Sequence, residues 1–363
     1  MKILSVVGAR PNFMKIAPIM DALQAYPQVE NLLLHTGQHY DEAMSRVFFE
    51  ELDLPKPDIY LGIGSGSHAE QTAFVMLAFE KVLLEHHPDI VIVVGDVNST
   101  LACSVTAVKL GVRVAHVEAG LRSYDRQMPE EINRIVTDAL SGFLFTTSRQ
   151  ANQNLIKEGL DPEKIYFVGN VMIDTLDKHR VRAELLGTPG RLGLQPGQYA
   201  LMTLHRAANV DDPMVLSRLV DVLYELQTEI PLLFPVHPRT SKRLAEFGLL
   251  ERLETASQLQ IVPPQGYLPF LDLMAHARLV LTDSGGIQEE TTILGIPCLT
   301  LRQNTERPIT VTGGTNTVVG SNPGVILRAA RRILSGTHKN GQIPELWDGH
   351  AAERLVEILV KHN

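Results

Sequence analysis

The chain has 363 residues, with 33 Lys plus Arg against 41 Asp plus Glu and a formal net charge of −8. That length predicts two domains at roughly 100–200 residues each, and 44% apolar with 20% charged residues excludes wholesale disorder. A pI near 5.9 argues against a nucleic-acid groove, and no apolar run reaches the ~20 residues that span a bilayer. The only cysteines, Cys103 and Cys298, form no disulfide framework and fit a reducing cytoplasm.

Met1–Gly8 is too short for a signal peptide and reads as a buried strand. Short apolar runs then alternate with helical patterns. Strands are predicted at Ile3–Val7, Asn31–His35, Ile90–Val94, Val112–Val117, Phe143–Thr146 and Ile165–Val168. Ile16, Ile19, Met20 and Leu23 have helical spacing. A second set of strands follows at Tyr199–Thr203, Leu232–Pro235, Leu259–Val262, Leu279–Thr282 and Cys298–Leu301. Such alternation builds parallel sheets with helices on both faces. A hinge is expected near Gly169-Asn170, and Ala351–Val360 reads as an amphipathic helix. Ligands of open α/β sheets bind at the carboxyl ends of the strands, so two such domains facing each other would make an interdomain cleft.

Candidate chemistry clusters at those ends. Gly8-Ala9-Arg10-Pro11-Asn12 follows the first strand, and Lys15 falls in the first turn of the next helix. A lysine there opposes the helix dipole, and a bound anion would offset the cost. Asp96 follows the strand Ile90–Val94, Glu118 ends the next, and Glu130 opens a helix with Pro129. Glu130 and Arg134 are four residues apart, on one face. Three carboxylates from successive connections would crowd one another and suit proton transfer. His116-x-Glu118 lacks the Cys-x-x-Cys of a zinc deaminase, and the other histidines lack metal spacing, so no metal is expected. The glycines of 62–66 make an imperfect dinucleotide loop, and no cofactor is expected either.

In the second half, His205 follows the strand Tyr199–Thr203, and His237 is wedged between prolines. Leu281-Thr282-Asp283-Ser284-Gly285-Gly286 runs from a strand directly into a helix. Backbone N–H groups at such a start cradle a phosphate, and glycines admit it closely. Glu290, one turn on, can accept from two ribose hydroxyls. Arg307 in Thr305-Glu306-Arg307-Pro308 adds a cation.

Gly8-Ala9-Arg10-Pro11, Gly95-Asp96, His116-Val117-Glu118-Ala119-Gly120-Leu121-Arg122, Pro129-Glu130-Glu131-Ile132-Asn133-Arg134, Asp283-Ser284-Gly285-Gly286 with Gln288-Glu289-Glu290, and Thr305-Glu306-Arg307-Pro308 occur in this order. Together they resemble the non-hydrolysing UDP-N-acetylglucosamine 2-epimerase family from residue 1 to about residue 360. The resemblance implies an α/β GT-B fold, with two Rossmann-like doubly wound domains and an interdomain cleft. Residues 1–169 would carry the acid/base carboxylates, 170–348 would bind UDP, and 349–363 would return as a C-terminal helix to the first domain. It implies interconversion of UDP-GlcNAc and UDP-ManNAc by a cytoplasmic homodimer that uses no cofactor and binds neither nucleic acid nor membrane. Family members expel UDP from C1 while C2 is deprotonated, giving 2-acetamidoglucal, and re-add it after reprotonation from the opposite face. Asp96, Glu118, Glu130 and His205 would be catalytic. Arg10, Lys15, Arg134, Gln265, Phe270, Ser284, Gly285, Gly286, Glu290 and Arg307 would bind substrate, with Gln265 and Phe270 on uracil.

Variant motifs at Ala9-Arg10-Pro11-Asn12, Val97–Thr100 and His205-Arg206-Ala207-Ala208 also resemble a branch acting on UDP-diacetamido-uronic acids. Glu306-Arg307-Pro308 favours UDP-GlcNAc. A hydrolysing epimerase, a GT-B glycosyltransferase and a non-catalytic nucleotide-sugar sensor are the other readings. Substrate-activated bacterial members carry Gln-His followed by a basic residue and glutamine, with an Arg-Gln pair further on. Here Tyr40-Asp41 follows Gln38-His39 and Ser65–Gln71 has no arginine, which predicts simple saturation kinetics.

Overall fold

A computed structural model describes residues 1–37 and 48–362, apart from the side chain of Arg10. The chain divides into two compact units, Met1–Lys178 with Glu345–Asn363, and His179–Pro344. Helices of nine or more residues are labelled.

The first unit runs β1 (Lys2–Val7), α1 (Arg10–Leu23), β2 (Glu30–His35), β3 (Ile59–Tyr60), α2 (His68–His86), β4 (Ile90–Val94), α3 (Asn98–Lys109), β5 (Arg113–Ala119), α4 (Pro129–Leu140), β6 (Phe143–Thr146), α5 (Arg149–Lys157) and β7 (Ile165–Phe167). The strands form one seven-stranded sheet in the order β3-β2-β1-β4-β5-β6-β7, and every pairing is parallel. Ile3, Leu4, Val7 and the whole of β4 are buried, as expected of strands covered on both faces. The strand order reverses between β1 and β4, which makes their carboxyl ends the place where a ligand crevice opens.

α6 (Val171–Glu184) follows β7, and the second unit then repeats the plan. Its strands β8 (Ala200–Thr203), β9 (Leu232–Pro235), β10 (Leu259–Val262), β11 (Leu279–Thr282), β12 (Cys298–Thr300) and β13 (Asn316–Val318) form a parallel sheet in the order β10-β9-β8-β11-β12-β13. The labelled helices are α7 (Pro213–Leu226), α8 (Pro238–Glu246), α9 (Tyr267–Ala275), α10 (Gly285–Leu294) and α11 (Pro323–Leu334). Leu219, Leu223, Phe234, Leu279, Leu281 and Ile326 meet in its core. Here the switch point lies between β8 and β11.

The predicted division at Gly169 differs from the packing, which divides inside α6. The first half of that helix is fastened to the first unit. Thr175 donates to the Met14 carbonyl at 2.6 Å, and Lys178 pairs with Asp21 at 2.5 Å. Asp174 accepts from the Ala351 and Ala352 N–H groups, at 3.2 and 2.7 Å. Those two amides open the final helix α12 (Ala351–Lys361), which packs along α1. The return to the first unit begins at Glu345, before residue 349. Trp347 is buried there and donates to the Thr147 carbonyl at 2.8 Å.

Candidate active site

In the first unit, β1 ends at Val7 and the Asn12 side chain closes the turn that follows. Its Oδ1 accepts from the Gly8 and Ala9 N–H groups at 3.0 Å each, and its Nδ2 donates to the Val94 carbonyl at 3.1 Å. This ties the entry of α1 to the end of β4. Pro11 supplies the fixed φ of a first-turn residue. Arg10 begins α1, and its side chain lies outside the described residues.

Lys15 is buried and forms an ion pair with Glu118. The ammonium for which the sequence predicts an external anion thus has a carboxylate of the same chain beside it. Glu118 has φ +74°, in the left-handed region that a residue with a Cβ rarely adopts. The β5–β6 register shifts between Val117 and Ala119, so Glu118 sits on a β-bulge. A bulge re-aims one side chain, and local strain of about 1–3 kcal/mol persists only where surrounding structure enforces it. Such outliers concentrate at functional positions. Gly95 lies against this pair: a Cβ there would stand 2.8 Å from Lys15 Nζ and 3.4 Å from Glu118 Oε2, at φ +68°.

Asp96 follows Gly95 and pairs with Arg134 from α4. Arg134 is buried and also meets Glu131 at 2.5 Å. The guanidinium expected to bind substrate therefore braces Asp96. Asn133, its neighbour, donates to the Asp96 carbonyl at 2.9 Å and to Asn98 at 3.2 Å. Glu131 accepts from Ser123 N–H and Oγ and from Tyr124 N–H, at 2.9–3.0 Å, which makes it the organiser of the 121–125 loop. Glu130 is half-buried in the first turn of α4. The crowding expected among three carboxylates is replaced, for Asp96 and Glu118, by a cation set against each.

In the second unit, Asp283 at the end of β11 organises the start of the β8 loop. It accepts from the His205 and Arg206 N–H groups at 3.1 and 2.9 Å, and from Asn209 Nδ2 at 3.0 Å. His205 Nδ1 lies 2.9 Å from its Oδ1. Burial pushes the Asp283 carboxyl up, but His205 and these donors override it and hold it at about 2. The ionised carboxylate fixes Nδ1 as the imidazole donor and leaves Nε2, on a half-exposed ring, for another partner.

Ser284 precedes α10 and makes no capping bond with its side chain. Gly285 and Gly286 open the helix. The Arg307 guanidinium packs against Gly285, where any Cβ would collide with it. Arg307 pairs with Glu306 and, at 2.9 Å, with Glu289, while Glu306 also takes Arg302 at 2.7 Å. Glu290 is buried on the same helix. Gln265 precedes α9, with its Nε2 donating to the Pro263 carbonyl at 2.7 Å, and Phe270 is half-buried in its first turn. His237 caps α8 by accepting from Arg239 N–H at 3.2 Å.

Sequence reasoning missed the roles of Asn12, Glu131, Asn133, Asp138 and Asp283, all buried polar groups that act through other residues. Glu131, Arg134 and Asp138 recur at helical spacing on the inner face of α4, a signal that an apolar-only pattern overlooks. No group of His, Cys, Asp and Glu suited to a metal ion occurs among the described residues, and no helix there is long and apolar enough to cross a membrane.

The model of UDP-N-acetylglucosamine 2-epimerase matches residues 21–360. The chain is 45% identical over 365 residues to a UDP-N-acetylglucosamine 2-epimerase of Methanocaldococcus jannaschii, covering 99% of each. It is 43% identical over 365 residues to a UDP-2,3-diacetamido-2,3-dideoxy-D-glucuronate 2-epimerase of Pseudomonas aeruginosa, covering 99% of this chain and 100% of that one. A crystal structure of the Methanocaldococcus jannaschii UDP-GlcNAc 2-epimerase in complex with UDP-GlcNAc and UDP superposes with a TM-score of 0.94 at 44% identity, covering 99% of this chain and 100% of that one. Both units have the doubly wound sheets of the GT-B fold, and the chain belongs to the UDP-N-acetylglucosamine 2-epimerase family.

Proposed function

We propose that the chain interconverts UDP-N-acetylglucosamine and UDP-N-acetylmannosamine without hydrolysing them. The C2 proton of the sugar has no adjacent carbonyl and is not acidic, so its removal must accompany departure of UDP from C1. Anti elimination gives 2-acetamidoglucal, and UDP returns after C2 is reprotonated on the opposite face. Asp96, Glu118 and Glu130 are assigned the proton transfers, with Lys15 and Arg134 holding the first two carboxylates in place. Ser284, the amides of Gly285 and Gly286, Arg307, Arg10 and His205 are assigned the diphosphate, where charge develops as UDP leaves. Glu290 is assigned the ribose, and Gln265 and Phe270 the uracil.

The observation that carries this reading is Glu118. A carboxylate held at positive φ on a bulge, at the carboxyl end of a central parallel strand, is costly to maintain and lies where ligands bind. The enzyme is proposed to act as a cytoplasmic homodimer. Exposed Phe74 and Leu77 on α2, Val108 on α3 and Ile132 on α4 support a subunit contact on this helical layer.

Proton NMR of purified protein with UDP-GlcNAc tests the assignment. Appearance of UDP-ManNAc is expected. Turnover of a UDP-diacetamido-uronate alone moves the protein to that branch, as its relative in Pseudomonas aeruginosa would favour. Release of free ManNAc with UDP contradicts the non-hydrolysing mechanism.

A further inference from the structure

His116 stands in the middle of β5 with no exposed surface. Its Nδ1 lies 2.6 Å from Asp138 Oδ1, and its Nε2 lies 2.8 Å from the carbonyl oxygen of Gly95. A backbone carbonyl only accepts hydrogen bonds, so Nε2 carries a proton. Asp138, on α4, is ringed by donors: the Gly120 N–H reaches its Oδ2 at 3.1 Å and the Arg122 guanidinium at 2.7 Å. Oδ2 thus already accepts from two donors, one of them a guanidinium, which favours the ionised carboxylate. An ionised Asp138 also only accepts, so Nδ1 carries a proton too. A neutral imidazole has a single N–H. Only the imidazolium satisfies both neighbours.

The surrounding charges balance it. Arg122 is shared with Glu158, at 2.6 and 2.8 Å, so the cluster runs His116, Asp138, Arg122, Glu158 with alternating sign. His116, Asp138 and Arg122 are buried and the chain ends on Glu158 at the surface, so every buried charge has a partner, which a stable buried network requires.

The cluster is fastened to the candidate active site through one peptide. The Gly95 N–H donates to the Val117 carbonyl at 3.1 Å, and the Gly95 carbonyl accepts from His116. Both sides of Gly95 are thus pinned to consecutive residues of β5. Asp96 comes next in the chain, and Glu118 comes two residues after His116 on the strand. We propose that His116 is a positioning residue, a buried imidazolium that clamps the Gly95–Asp96 turn to β5 and so fixes Asp96 relative to Glu118. The proposal rests on the acid/base reading of those two carboxylates.

Two measurements test it. Nitrogen–proton correlation spectra of the imidazoles in nitrogen-15-histidine-labelled protein, with His116→Gln assigning the resonance, read the ring without substrate. Both His116 nitrogens are expected to bear protons in the folded protein at neutral pH. One bare acceptor nitrogen overturns the imidazolium. In kinetics, His116→Gln is expected to lower kcat on the order of 10–100-fold, the scale of a misplaced reacting group, while UDP affinity by calorimetry stays within about twofold. His116→Gln with Asp138→Asn rebuilds a neutral donor chain from Arg122 to Gly95 and should recover part of the loss. Unchanged kcat in His116→Gln overturns the positioning role, as does equal loss of kcat and UDP affinity. If the single variant fails to fold, the double variant serves for assignment and kinetics. An inactive wild type with the doubly protonated ring would overturn the epimerase reading and not the ring assignment.

Discussion

Lys15 on α1 and Glu118 at the end of β5 form a buried ion pair, with Gly95 packed against both. The pair explains how a lysine is tolerated, buried, as the sixth residue of α1. It also holds the Glu118 side chain on its bulge. Breaking a buried pair from one side strands a charge and costs about 3–5 kcal/mol, far more than an exposed pair would. Lys15→Met should therefore lower thermal stability by that order in differential scanning calorimetry, and Lys15→Met with Glu118→Gln should restore much of it. Equal melting temperatures for wild type and Lys15→Met would contradict the pairing.

The proposed proton transfers predict a distinct pattern among the carboxylates. Asp96→Asn, Glu118→Gln and Glu130→Gln should each cut kcat on the order of 10²–10⁴-fold, the usual range for a lost general acid or base. UDP affinity, measured by calorimetry, should change little. Loss of folding in all three, seen by circular dichroism, would favour capping and packing as their whole role.

Asp283 supplies a pH signature. Its carboxyl is held at about 2 against an ordinary 3.8, so the folded state keeps it ionised where the unfolded chain binds a proton. Its stabilisation is fully present above the ordinary value and is lost as pH falls toward 2. At about 1.4 kcal/mol per pH unit of difference, the contribution is about 2 kcal/mol. Asp283→Asn should destabilise the protein at neutral pH and flatten the fall in stability between about pH 4 and pH 2. An unchanged acid slope, from urea titrations at successive pH values, would count against the assignment.

Much of this architecture is legible in the sequence, for reasons that differ by element. β4 is an unbroken apolar run, and β1 is one apart from Lys2 and the buried Ser5, because parallel strands are covered on both faces, and such runs stand out. β3 and β13 were not anticipated. Both are edge strands of two and three residues, Ile59–Tyr60 and Asn316–Val318, too short for any periodicity to develop. The prediction for β5 stopped at Val117, whereas the strand continues through its bulge to Ala119. The candidate site is legible where residues sit at strand ends beside glycine, as Asp96 and Ser284 do. It is not legible where function depends on a partner far along the chain. The pairing of Lys15 with Glu118, 103 residues later, leaves no trace in the local sequence. His116 has no role legible in the sequence, where the missing Cys-x-x-Cys excludes zinc, until Asp138 and the Gly95 carbonyl take up its two nitrogens.

Regulation offers a separate test. Gln38-His39-Tyr40-Asp41 lies outside the described residues, so its reading rests on sequence. A second nucleotide sugar beside the first would bring another diphosphate, repelled by several kcal/mol at a few ångströms with an effective dielectric near 20. Asp41 would worsen that repulsion, and Ser65–Gln71 offers no arginine to relieve it. Initial rates should therefore be hyperbolic in UDP-GlcNAc, and UDP-ManNAc should turn over without added UDP-GlcNAc. A sigmoidal curve, or a reverse reaction silent until UDP-GlcNAc is supplied, would show that other residues build a second site.

The central claim is that C2 loses its proton as UDP leaves C1 and regains one from solvent-exchanged carboxyl groups. Incubation with UDP-GlcNAc in D2O, followed by proton NMR, tests it most directly. Deuterium is expected at C2 in UDP-ManNAc and, as equilibrium is approached, in the recovered UDP-GlcNAc. Epimerised product that keeps its C2 proton would contradict elimination through carboxylates that exchange with solvent.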